Sequence, residues 1–127
     1  MHITYESSAH LFRVELAGPI TVADVLAALC AVLGHEKFRP GHSVLWDLRN
    51  ADMRLLTAHG IRRIADTGQL HCAALGNSRV ALLLSPTAHF TVGRMCHMLA
   101  GGRESELAVF RHPKEAERWV SRRLVLL

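Results

Sequence analysis

The run "RVALLLS", Arg79 to Ser85, constrains this chain more than any other stretch. Val80 to Leu84 are all apolar, with no polar residue at alternate positions. A strand of that kind needs cover on both faces and belongs centrally in a parallel sheet. The segments on either side carry helical spacing instead. After Thr57, the residues Ile61, Ile64, Ala65, Gly68 and Cys72 recur on one face, and Arg62, Arg63, Asp66 and Gln69 on the other. Downstream, Ser85-Pro86-Thr87 turns the chain into a helix with Phe90, Met95, Met98 and Leu99 inward, ended by Gly101-Gly102. Strands alternating with amphipathic helices are the signature of a parallel sheet with right-handed crossovers.

The rest of the chain extends that pattern. "ITYE" and "LFRVELAG" flank "SSAH" as a hairpin, with Leu11, Arg13 and Glu15 on one face and Phe12, Val14 and Leu16 on the other. Gly18-Pro19 stops the second strand, and Thr21 is placed to cap a helix with Asp24 near its positive end. Val22, Val25, Leu26, Leu29, Val32 and Leu33 fall on one stripe of that helix, and Gly34 is its stop. "FRPGH" turns into the strand "SVLWDL"; "ELAVF" is the last strand, and Pro113 opens a closing helix with Ala116, Trp119, Val120 and Leu124 inward. The predicted order is β-β-α-β-α-β-α-β-α. It makes a single α/β domain over residues 1–127, with a mainly parallel five-stranded sheet and an N-terminal hairpin at one edge. If the strands run in sequence order, most helices stack on one face, and the other needs a helix end, the apolar tail Leu124–Leu127 or a second subunit. A homodimer is therefore expected.

Composition narrows the function classes. The 127 residues are 50% hydrophobic and 20% charged, enough for a core without staples. The N-terminal stretch lacks a basic-then-apolar signal, and "VADVLAALCAVLG" is too short to span a bilayer, so a cytoplasmic address is expected. Cys30, Cys72 and Cys96 are scattered, imply no disulfide framework, and read as small buried hydrophobes. The formal charge is +4, with Arg spread from Arg13 to Arg123 and only 6% aromatic residues, so nucleic acid is not an expected partner. Nine His residues include His71-Cys72, His89 and Cys96-His97, yet none has a metal-site spacing, and neither metal nor other cofactor is expected. No nucleophile elbow, phosphate-cradling loop or carboxylate pair is present, so no enzyme is expected.

Four stretches together resemble a known family: "LAGPITVADV", "PGHSVLWDLRNADMRLLTAHGI", "SRVALLLSPTAHFTVGRMCHML" and "AVFRHPKEAERWV". The chain is similar to STAS domains, the anti-sigma-factor-antagonist-like fold. It is most similar to small stand-alone bacterial STAS-like proteins of unknown function, which are related in fold to CRAL-TRIO lipid-binding domains. In the antagonists, a Ser at the start of the helix after this strand is phosphorylated, which blocks partner binding. Gly60 and Ile61 match the Gly-Leu of that helix start, which puts Ala58 at the phosphorylated Ser and Thr57 at the acidic residue before it. Ala58 has no hydroxyl, so the usual switch cannot operate there.

The resemblance implies a regulatory or protein-interaction domain working through the loop from Asp47 to Gly60, with Asp47, Arg49, Thr57, Ala58 and Gly60 as its residues. Asp47 also reads as a strand stop accepting N–H groups from its own loop, and Thr57 as a helix cap before a phosphosite. Arg49, Arg54, Arg62 and Arg63 lie near this loop. The last two oppose the helix dipole in its first turns, so helix stability does not explain them, and the group reads as a solvated face before an acidic-partner surface. A second reading, by analogy with the CRAL-TRIO relatives, is a carrier or sensor of a small apolar or anionic, lipid-like ligand. Thr87, Thr91 and Arg94, beyond the end of "RVALLLS", would meet its anionic group.

Overall fold

The computed structural model describes residues 1–70, 79–88 and 106–121. The chain opens with β1 (His2–Glu6), a 3-10 turn (Ser7–Ala9) and β2 (Leu11–Glu15), paired antiparallel with Glu6 opposite Leu11. Then follow β3 (Gly18–Pro19), α1 (Val22–Leu33), β4 (Ser43–Asp47), β5 (Ala51–Asp52) and α2 (Ala58–Leu70). The last described elements are β6 (Arg79–Leu83), the helical turn α3 (Pro86–Ala88), β7 (Glu106–Phe110) and α4 (Pro113–Ser121). Five strands form one sheet in the order β1-β2-β4-β6-β7, parallel from β2 onward. The main strands thus run in sequence order, the condition under which most helices are expected on one face.

Where each helix lies follows from which side of the strands is apolar. Phe12, Val14, Val44 and Trp46 point to one face and pack with Val25, Ala28 and Val32 of α1. Leu56 and Ile64 pack on the same core, so α2 lies over this face beside α1. Leu11, Leu45 and Ala81 point to the other face, where Ala116 and Val120 of α4 close over them. The second face is therefore covered by the closing helix. That removes the open face as a ground for a dimer; the tail Leu124–Leu127 lies outside the described residues.

Three expectations are corrected. The strand predicted over Leu11–Gly18 leaves the main sheet after Glu15. Gly18 takes a left-handed φ of 72°, and Gly18-Pro19 pairs in parallel with Ala51-Asp52 in a separate ribbon. The middle of the main sheet is β4, where Ser43 to Trp46 are all buried, not "RVALLLS". On β6, Ala81 and Leu83 on one face are buried, but Val80 and Leu82 on the other are only half-buried. Cys30 is exposed. It sits two residues from the fully buried Ala28, ~200° around the helix, while a neutral-looking alanine takes the inward position. Cys72, Cys96, Phe90, Met95, Met98, Leu99, Gly101, Gly102 and Leu124 lie outside the described residues, and so do the side chain of Ala65 and the burial of Gly68.

The caps follow the sequence. The Asp24 N–H donates to Thr21 Oγ1 (3.2 Å) and the Thr21 N–H to Asp24 Oδ2 (2.8 Å), a reciprocal capping box at the start of α1. Arg13 reaches from β2 to Glu117 of α4 (3.0 Å) and lies 3.7 Å from Glu6, tying the closing helix to the hairpin.

Candidate functional site

The connection from β4 to α2 is built from two copies of one small device, "DLR" (Asp47–Arg49) and "DMR" (Asp52–Arg54). At Asp47, Oδ1 accepts from the Arg49 backbone N–H (3.2 Å) and Nε (3.0 Å), and Oδ2 from Nη2 (2.8 Å). At Asp52, Oδ1 accepts from the Arg54 N–H (3.1 Å) and Nε (3.0 Å), and Oδ2 from Nη2 (2.7 Å). Each turn uses an Asp side chain to hold the backbone two residues on, and a planar guanidinium to clamp the same carboxylate. The side-chain bond from Arg49 holds Asp47 below the usual carboxylate range, with Arg49 raised in return. The side-chain bond from Arg54 lowers Asp52 from 3.8 to about 2. Asp47 therefore does accept N–H bonds from its own loop. Asp52 is not among the residues the sequence reading singles out; its signal, shared with Arg54, is the Asp-x-Arg spacing repeated five residues on.

Between the two clamps the loop is fastened to the body. The Leu48 N–H donates to the Leu83 carbonyl (2.9 Å), Gly18 N–H to Asn50 (2.9 Å) and Ile20 N–H to Asp52 (3.1 Å). Leu48 and Met53 are buried in the core on α1's side of the sheet. What remains outside is a rim. Leu55 is 55% exposed, the Arg54 side chain 88%.

Thr57 is the cap of α2: its Oγ1 accepts from the Gly60 N–H (3.1 Å), and its carbonyl from Ile61 N–H (2.9 Å). Gly60 is buried where α2 meets α1, and a Cβ there would stand 2.5 Å from Val22 Cγ2. Gly60 is thus a packing residue, placed where a side chain would push the two helices apart. Ala58, His59, Arg62 and Arg63 form the outer face, all exposed. Arg62 and Arg63 make no ion pair among the described residues. The structure therefore gathers Asp47, Arg49, Thr57, Ala58 and Gly60 into one connected region, with Gly60 inward and the others on or near the surface.

Of the second candidate group only the Thr87 backbone falls within the described residues. Thr87 lies in α3, whose first turn is capped by Ser85 Oγ accepting from Ala88 N–H (3.4 Å), but its side chain is not described. Thr91 and Arg94 lie outside the described residues. An open groove of about 210 Å³ lies elsewhere, lined by Met1, Leu16, Ala17, Ile20, Asp24 and Ala27. Its Asp24 carboxylate is occupied by Thr21. His35 and His42 at the opposite end of the sheet act as packing rings. Their Nδ1 atoms accept from the Lys37 and Arg39 N–H groups (3.0 and 3.3 Å), and their rings lie 5.1 and 6.0 Å from that of Phe12. Among the described residues no three His, Cys, Asp or Glu side chains are placed to share a metal, and no helix is long and apolar enough to cross a membrane.

No family model and no curated protein sequence matches the chain. Among solved structures it is similar to an uncharacterised protein of the DUF3478 family with a SpoIIAA-like fold, from Shewanella loihica PV-4. The identity is 17% over 94% of this chain and 90% of that one, with a TM-score of 0.62. The SpoIIAA-like, STAS-like fold implied by the sequence is thus the fold of this chain.

Proposed function

We propose that the chain is a non-enzymatic regulatory domain of a cytoplasmic protein, working by protein–protein contact through the rim Arg54–Arg63 and without a phosphoserine switch. One observation carries this reading. The loop that forms the rim is held by two Asp–Arg clamps and backbone bonds to β3 and β6, yet it leaves Leu55 and the outer face of α2 in solvent. A rigid backbone presenting an apolar side chain beside charged ones suits a docking surface, because little order is lost on binding. At the position where the antagonists carry their phosphorylated Ser, Ala58 offers an exposed methyl group, and the neighbouring Thr57 hydroxyl is engaged in capping. The carrier reading has less support among the described residues, since the groove beside α1 is below the usual ~300 Å³ of a ligand pocket.

The test is photo-crosslinking in living cells. A benzoylphenylalanine at position 55 or 59 is expected to give a discrete protein adduct, while one at Lys114, on α4, gives none. Native mass spectrometry of the purified chain is expected to show the bare polypeptide mass. A co-purified lipid with no adduct at the rim would replace this reading by the carrier.

A further inference from the structure

We infer that the partner of this rim is an acidic protein segment that places an apolar side chain on Leu55. The inference rests on the interaction reading above and names the chemistry of its partner. Arg62 and Arg63 stand exposed in the first two turns of α2, where positive charge opposes the helix dipole. The loop's own carboxylates do not relieve them, because Asp47 and Asp52 are already clamped by Arg49 and Arg54. Asp66, the next acidic residue along α2, is exposed and forms no ion pair among the described residues. Arg54 binds Asp52 through Nε and Nη2, its Nη1 makes no hydrogen bond among the described residues, and its side chain is 88% exposed. Arg54, Arg62 and Arg63 against Asp52 and Asp66 leave this surface one positive charge in excess, with unspent guanidinium donors.

Arginine is the side chain that recognises carboxylates in a bidentate geometry, and a desolvated apolar contact between such pairs is how interfaces gain strength. Leu55, 55% exposed, supplies that contact directly before the helix. Other polyanions fit less well. Leu55 to Arg63 contains no Phe, Tyr or Trp to stack on a base, and two unpaired arginines are fewer than the ~4–8 basic residues that hold a protein to anionic lipid.

The experiment maps the adduct formed at position 55 in the full chain, in the native cell, and repeats it with Arg62→Glu/Arg63→Glu. The crosslinked peptide is expected to contain two or more Asp or Glu around an apolar residue, and its yield to fall about tenfold or more in the double variant. The urea midpoint of that variant is expected to be unchanged or higher, since acidic residues suit the first turns of a helix. If it unfolds instead, Arg62→Gln/Arg63→Gln takes its place with the same expected loss of adduct. A peptide without carboxylates overturns the inference, as does an adduct with nucleic acid, lipid or a second copy of the chain, or a yield indifferent to both variants. In those protein-adduct cases the docking reading survives. No adduct at either 55 or 59 overturns both.

Discussion

Two residues that support the rim, Gly60 and Asp52, show how much one atom or one proton decides here. Gly60 lacks the Cβ that would collide with Val22 Cγ2 at 2.5 Å. Gly60→Ala should therefore lower the unfolding free energy measured in urea by about 1 kcal/mol, the overpacking cost outweighing the better helix propensity of Ala. Val22→Ala combined with it should recover part of the loss, and a Gly60→Ala chain as stable as the parent would show that the helices do not approach so closely. Asp52 belongs to the acid limb of the pH profile. Its folded value of about 2 lies below the ordinary 3.8. What the clamp contributes is thus in place above about pH 4 and is lost as the pH falls toward 2. Asp47 is lowered in the same direction by Arg49. Carboxyl-carbon NMR titration should place the Asp52 midpoint near 2, and Arg54→Ala should return it toward 3.8. A parent midpoint already at the ordinary value would mean that the clamp is absent in solution.

At the scale of the element, β6 separates burial of a residue from the position of its strand. Its apolar run reports cover on both sides, yet β4 is the middle strand and β6 lies next to β7. Leu83 is 1% exposed, whereas Leu82 on the opposite face is half-buried. Leu83→Asp should abolish soluble, cooperative folding, because an unpaired carboxylate cannot be left in that core. Leu82→Asp should cost less and leave a measurable, lowered melting temperature. A cooperative melt for Leu83→Asp would show that the strand is not covered by α4 as described.

Over the whole molecule, α4 decides what is left open. It packs Ala116 and Val120 on Leu11, Leu45 and Ala81, and Arg13 holds it through Glu117. With that face covered, the proposed homodimer rests on the apolar tail Leu124–Leu127 alone. Sedimentation of the full chain at tens of micromolar and of a chain ending at Arg123 tests it. A dimer that dissociates on truncation is expected, and a monomeric full chain ends the proposal.

The amino-acid order alone determined the kind of fold. Period-two alternation in β2, the capping pair Thr21 and Asp24, the stripe of α1 and the apolar stripe of α4 are local patterns, and each element forms as those patterns require. The same locality made Thr57 legible as a cap and Asp47 as a loop organiser. Tertiary structure decided the rest. That Gly18-Pro19 pairs with Ala51-Asp52, that Gly60 faces Val22, and that the last helix crosses to the other face all depend on contacts between distant segments. Exposure of Cys30 in place of Ala28, and of Leu55 between two buried neighbourhoods, depends on which side of an element meets the sheet. Spacing within one segment carries no information about that choice until the partner surface is in place.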